Sequence, residues 1–262
     1  MPSGIMEQQT KQTNIKGKKI FLLYPHSVIR DELLDILIMA GFETYTIFDE
    51  KRVHKLLVKF PDSIVFINID EGLEEKKWEA YIRSIQEDPR TKDSRLGIMS
   101  YNQDLKLMEK YLMKLAIPCG YVQLKLGLQE SAKIILGALE ANEARGRRGH
   151  IRVSCEDDIS STLNYKADWG VCHGNILDIS SVGVAARFEK LGDYNPGSVL
   201  RNVQLKLRGG LIMTDMILMG QRRDDEHIYI LLFDSKISGE SKLAIHRYIK
   251  QCLQKYIDGL II

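Results

Sequence analysis

Short apolar runs alternate with helical stripes along the first half of the chain. Lys19 to Pro25 (KIFLLYP) is a strand-length apolar run ended by proline. After it, Ile29, Leu33, Ile36, Leu37 and Ala40 recur at the spacing of one helix face, and Gly41 stops the stripe. The pattern continues with ETYTIF (strand), KRVHKLLVKF (helix), SIVFINID (strand), KKWEAYIRSIQED (helix), RLGIMSYN (strand) and DLKLMEKYLMKLA (helix). YVQLK predicts a fifth strand, and Leu128, Ala132, Ile135, Leu136 and Leu139 share the face of a fifth helix. Five strands alternating with five helices predict a parallel sheet covered on both faces. Pro2, Pro25, Pro61, Pro89 and Pro118 all fall in this half, and none interrupts a periodic segment.

The period changes after Glu143. Residues 151–235 carry no helical stripe but many strand-length runs. Asn202 to Arg208 (NVQLKLR) alternates strictly, with Val203, Leu205 and Leu207 on one side and Gln204, Lys206 and Arg208 on the other. Asn195-Pro196-Gly197, Gly209-Gly210 and Asp224-Asp225 are turn signals, and Ile228 to Phe233 (IYILLF) is a further strand. A helix follows Ser238-Gly239, with Ile245, Tyr248, Ile249, Cys252 and Tyr256 on its apolar face. About six strands and a helix predict a small antiparallel barrel with a C-terminal helix. The chain thus divides into a flexible leader (1–18), an α/β domain (19–142), an Arg-rich joint (143–153) and a barrel with its helix (154–262). Trp78 is expected in helix packing and Trp169 in the barrel core. Met213, Met216 and Met219 are expected in strand core and turn, and Asp224-Asp225-Glu226 at a solvated hairpin.

Composition narrows the function classes. The 262 residues suit about two domains. Net charge is only +2, which argues against a polycation that wraps nucleic acid. The most apolar stretch, Leu33 to Phe42, contains Asp35 and is about half of what a bilayer span needs, so no membrane segment is expected. The N-terminus has no apolar signal core. Cys119, Cys155, Cys172 and Cys252 are far apart and form no metal pattern with the scattered histidines, so reduced thiols, a cytoplasmic location and no metal site are expected.

Two motifs stand out in the second half. RGRRGHIR (Arg145 to Arg152) lies at the joint, and DISSVG (Asp178 to Gly183) lies in the strand-rich region. Alone, the first reads as a solvated linker and the second as a turn closed by Asp, Ser and Gly. In this order, ahead of a barrel pattern, they resemble the PilZ family of bacterial cyclic di-GMP receptors. The family marks are RxxxR, matched by Arg148 and Arg152, and (D/N)xSxxG, matched by Asp178, Ser180 and Gly183. The resemblance covers roughly residues 144–260. It implies a six-stranded antiparallel barrel with a C-terminal helix, and a site that recognises rather than catalyses. The ligand's chemistry suits these residues. An arginine fork matches the O6/N7 edge of guanine and pairs with phosphate, and an aspartate accepts from guanine's N–H edge. Arg147, just before the first motif arginine, occupies the position that in this family goes with a stacked pair of ligands, which implies two molecules per chain.

The first half resembles the receiver domain of two-component signalling, a flavodoxin-like fold. Ser100 and Lys125 stand near the places of that family's Ser/Thr and Lys. Tyr24-Pro25-His26, however, replaces its acidic pair, Asn68 and Asp70 compete for the phosphoacceptor position, and Leu126 stands where proline is usual. A degenerate, non-phosphorylated module is implied, because magnesium binding needs clustered carboxylates. The expected function is therefore a non-enzymatic cyclic di-GMP receptor that passes binding on through an interdomain or protein-partner change. A nucleic-acid binder using Arg145–Arg152 is the second reading, and a phosphoaccepting response regulator the third.

Overall fold

The computed structural model describes residues 17–146 and 149–262. Five parallel strands form the first sheet: β1 (Ile20–Leu23), β2 (Thr44–Ile47), β3 (Ile64–Asn68), β4 (Arg95–Ser100) and β5 (Tyr121–Gln123), in the order β2-β1-β3-β4-β5. This is the flavodoxin-like order. Period-two alternation divides the strand residues between two layers. Ile20, Leu22, Ile64 and Phe66 face helices α1 (Ser27–Met39) and α5 (Leu128–Ala141). Phe21, Leu23, Val65 and Ile67 face α2 (Glu50–Lys59), α3 (Glu75–Glu87) and α4 (Leu105–Glu109). Asp49 caps α2 by accepting from the amides of Lys51 and Arg52.

One predicted helix takes a different form. The stripe from Asp104 to Ala116 is α-helical only over Leu105–Glu109 and continues as a π-turn over Lys110–Lys114. The wider turn buries Tyr111 and leaves Leu112 and Met113 facing out. The predicted strand YVQLK also ends early, because Leu124–Leu126 form a 3-10 turn that carries Lys125 out of the sheet.

Six antiparallel strands close the barrel: β7 (Thr162–Ala167), β8 (Gly170–Ser180), β9 (Gly183–Phe188), β10 (Val199–Leu207), β11 (Gly210–Gln221) and β12 (Ile228–Phe233). The order is β8-β7-β10-β11-β12-β9, and β9 returns to β8 through pairs such as Ile179↔Val184. A short strand, β6 (Arg152–Ser154), adds to the end of β8. The expected alternation on β10 holds, since Val203, Leu205 and Leu207 are buried and Gln204 and Lys206 are exposed. Trp169 differs from expectation. It sits at the β7–β8 turn, 54% exposed, with the Lys190 ammonium 5.4 Å from its ring.

Helix α6 (Gly239–Asp258) joins the halves. Ile245, Tyr248, Ile249, Leu253 and Ile257 are buried on it, so the stripe drifts away from the predicted Cys252 and Tyr256. Its other flank grips the first half. Lys250 pairs with Asp35 of α1 at 2.8 Å. The Gln254 amide donates to Thr46 O at 3.0 Å and accepts from Thr46 N at 3.1 Å, covering the free edge of β2. Arg52 of α2 donates to the carbonyls of Ile257 and Asp258, satisfying the end of the helix.

Candidate ligand-binding site

The site lies where β6 meets β8. The register pairs Arg152 with Ser180, Val153 with Ile179 and Ser154 with Asp178. Val153 and Ile179 point into the core, which anchors a three-residue strand that would be too short to hold alone. The pairing brings residues from the two sequence motifs together. Arg152 Nη1 lies 3.6 Å from Asp178 Oδ1, and the two side chains are 42% and 29% exposed. That separation is longer than a charge-assisted hydrogen bond, so the guanidinium keeps most of its donors available.

Ser180 and Gly183 shape the turn behind this pair. The Ser180 hydroxyl is buried, donates to Gly183 O at 3.2 Å and accepts from Val182 N at 3.4 Å. A Cβ on Gly183 would lie 2.3 Å from Leu231 O, so β12 passes where any side chain would stand. In this geometry the motif's glycine admits a neighbouring strand.

The joint is tied down on both sides. Arg145 pairs with Glu140 at 3.6 Å and its guanidinium lies 5.2 Å from the Phe42 ring. Gly41 turns at φ +89°, and a Cβ there would lie 2.8 Å from Gly149 O. His150 Nδ1 is 3.2 Å from Ser181 Oγ. Arg147 and Arg148 lie outside the described residues. Sequence reasoning missed one neighbouring cation, Arg222 on the β11–β12 loop. A forked ion pair with Asp224 at 2.6 Å raises its pKa first of all, and the charge of Asp178 adds to the effect. Nothing in its local sequence marks it, because only barrel closure brings it near Asp178.

In the first half the polar residues at the strand ends satisfy one another. Asp70 accepts from Ser100 Oγ and from Tyr101 N, both at 2.6 Å. Asn68, the buried last residue of β3, donates to Tyr24 O at 2.9 Å. The Tyr24 ring fills the space beside Gly72, and His26 packs on Tyr101 with ring centroids 4.8 Å apart. Lys125 reaches Gln103 rather than Asp70. No cluster of metal-binding side chains occurs among the described residues.

No family model and no curated protein matches the chain. Solved structures are similar to each half. The PilZ domain of YcgR from Escherichia coli, solved with cyclic di-GMP, is 16% identical with a TM-score of 0.36; the match covers 44% of this chain and 99% of that one. MrkH of K. pneumonia, in complex with cyclic di-GMP, is 22% identical with a TM-score of 0.32, over 44% of this chain and 54% of that one. A signal receiver domain of an HD domain-containing protein from Pseudomonas fluorescens Pf-5 is 19% identical with a TM-score of 0.40, over 48% of this chain and 90% of that one. The chain spans about half the length of MrkH. Its second half is similar to PilZ domains and its first half to a receiver domain.

Proposed function

We propose that this chain is a cyclic di-GMP receptor of the PilZ type, with a receiver-like domain at 19–142, a closing arm at 143–153 and a barrel with its helix at 154–262. The observation that supports it is the β6–β8 register, which sets Arg152 beside Asp178 and against the Ser180–Gly183 turn. Arg148 and Arg152 pair with guanine edges and phosphates, while Asp178 accepts from a guanine's N1–H and N2–H. Ser180 and Gly183 hold the turn that presents Asp178. Arg147 adds a guanidinium for a second, stacked ligand, giving two per chain. The set recognises an anion and contains no arrangement that activates water or a nucleophile.

Binding closes the arm on the ligand and changes how a protein partner meets the two halves, a switch of the kind used by ligand-closed loops. No helix among the described residues is long and apolar enough to cross a membrane. Its four unpaired cysteines are compatible with action in the cytoplasm.

Titration calorimetry of the full chain with cyclic di-GMP tests the reading. Two ligands per chain are expected, falling to one in Arg147→Leu. Arg148→Ala weakens binding about ten- to hundredfold, the effect of losing one hydrogen-bonded charge. Wild-type affinity in Arg148→Ala overturns the site. Salt-dependent binding to arbitrary DNA with no response to the dinucleotide would favour a nucleic-acid binder instead. Superimposable scattering curves for free and bound chain, with unchanged hydrogen exchange over 141–153, would overturn the closing arm.

A further inference from the structure

A second cavity, of about 500 Å³, lies between the two halves. That volume is in the range of small-molecule sites. Its walls come from Lys19 just before β1, from Glu43 and Tyr45 at the start of β2, from β6 and the loop after it, from the β10–β11 turn, and from the last turns of α6. Charges from both halves meet there, and their partners differ in closeness. The negative groups are mostly committed. Glu43 is hydrogen-bonded by both Lys19 and Tyr45. Asp158 accepts from the hydroxyls of Ser160, Ser161 and Tyr248 at 2.6, 2.9 and 3.0 Å. Burial alone would raise its pKa, yet these hydroxyl bonds bring it down to about 2. Only Asp157 adds an exposed carboxylate.

The positive groups are less committed. Arg208 Nε stands 3.5 Å from an Asp158 that the three hydroxyls already satisfy. Arg152 is 3.6 Å from Asp178, and Lys255 makes no ion pair among the described residues. Beyond the Lys19–Glu43 pair, Arg152, Arg208 and Lys255 face two carboxylates, Asp157 and Asp158, which leaves a surplus of one positive charge on the walls. Beside them the half-exposed Tyr256 ring, with Leu253 and Leu260, supplies an apolar wall.

Arg208 carries a second signal. With Gly209 it forms a two-residue hairpin loop with φ values of +45° and +87°, closed by the pair Leu207↔Gly210. Such loops favour Asn or Gly at the first position, and an arginine there is strained. The strained residue lays its guanidinium 5.5 Å from the Tyr248 ring and against the cavity.

We propose that this cavity is a second ligand site, for a phosphomonoester attached to a flat or apolar group, such as a nucleoside monophosphate. A phosphomonoester is close to a dianion at neutral pH, its oxygens accept from Arg152, Arg208 and Lys255, and its flat group packs on Tyr256 and the leucines. Because the walls belong to both halves, such a ligand bridges them. Arg152 is shared with the motif site, so the two ligands influence one another. The proposal does not rest on cyclic di-GMP binding.

Calorimetry of the full chain with 5′-AMP, alongside ribose 5-phosphate, tests it without the dinucleotide. Wild-type chain is expected to bind 5′-AMP more tightly than ribose 5-phosphate. Lys255→Gln, which removes a charge that makes no ion pair among the described residues, weakens 5′-AMP about tenfold or more. Arg208→Asn installs the residue the turn prefers, so it weakens 5′-AMP similarly without lowering the thermal midpoint, whereas Arg208→Lys retains part of the binding. No binding of 5′-AMP by the wild type at millimolar concentration, or undiminished binding in both Lys255→Gln and Arg208→Asn, overturns the proposal.

Discussion

The two halves of the molecule treat their polar side chains in opposite ways. At the strand ends of the first sheet, Asp70 is held at 2.6 Å by both a hydroxyl and a backbone amide, and the rings of His26 and Tyr101 pack together beside it. At the β6–β8 corner of the barrel, Arg152 stands 3.6 Å from Asp178 with almost half its side chain in solvent. A saturated network rigidifies a fold and has little left for a ligand, while spare donors on an exposed guanidinium are what an anion needs. The contrast separates a half whose strand-end polar groups satisfy one another from a half that leaves a guanidinium largely open to solvent.

The largest effect expected from testing this contrast concerns the turn beneath the open site. Gly183→Ala puts a methyl 2.3 Å from a carbonyl oxygen of β12, a backbone contact that cannot swing aside. A loss of about 3 kcal/mol is expected from overpacking of this kind, read as a lower urea midpoint at unchanged slope. A wild-type midpoint would mean that β12 is not so close. Next comes recognition itself. Arg152→Ala is expected to weaken cyclic di-GMP about ten- to hundredfold. Asp70→Asn leaves that affinity unchanged, and acetyl phosphate leaves no covalent label on Asp70. A labelled Asp70 would dissolve the distinction between the closed and open clusters.

A comparable effect comes from pH, through Asp158 behind the barrel. Its carboxyl titrates at about 2 in the folded chain, against about 4 for an ordinary aspartate. The depressed value means that its stabilisation is fully present above about pH 4 and is lost as pH falls through about 2. The linkage amounts to about 2 kcal/mol. Tyr248→Phe removes one of the three hydroxyls and raises this folded pKa, so acid unfolding of the variant begins at a higher pH. An identical acid limb in the variant would show that Tyr248 does not hold Asp158.

Much of this architecture was legible in the pattern of residues, and the reasons are physical. Alternation in NVQLKLR and the 3.6-residue stripe of α1 are local consequences of which face is buried, so they survive without tertiary information. The two motifs were legible as residue types, and strand pairing added that Arg152 lies across from Ser180. What could not be read depended on distant partners. Strand β6 is three residues long and exists because β8 receives it. The stripe of α6 drifted because both flanks of the helix are covered, one by the barrel and one by β2. Trp169 looked like core, but Gly170 places it at a hairpin tip, where a large ring has nothing to be buried under.

The smallest effect expected concerns the join between the halves, and α6 makes it measurable. Gln254 completes the edge of β2 much as another strand would, with one bond donated to Thr46 O and one accepted from Thr46 N. Gln254→Ala removes both and lets water reach the strand edge, so the net cost is about 1 kcal/mol, well below the gross strength of the two bonds. The chain's two tryptophans divide between the halves, and the buried Trp78 reports unfolding of the first, while the exposed Trp169 changes little. Trp fluorescence therefore follows the α/β half, and far-ultraviolet circular dichroism follows both. In the wild type the two urea transitions should coincide, because α6 is shared between the cores. If the helix is the coupling element, Gln254→Ala combined with Arg52→Ala should pull the fluorescence midpoint below the dichroism midpoint. Coincident transitions in the double variant would place the coupling instead in the joint, where Arg145 lies on Phe42 and Gly149 on Gly41.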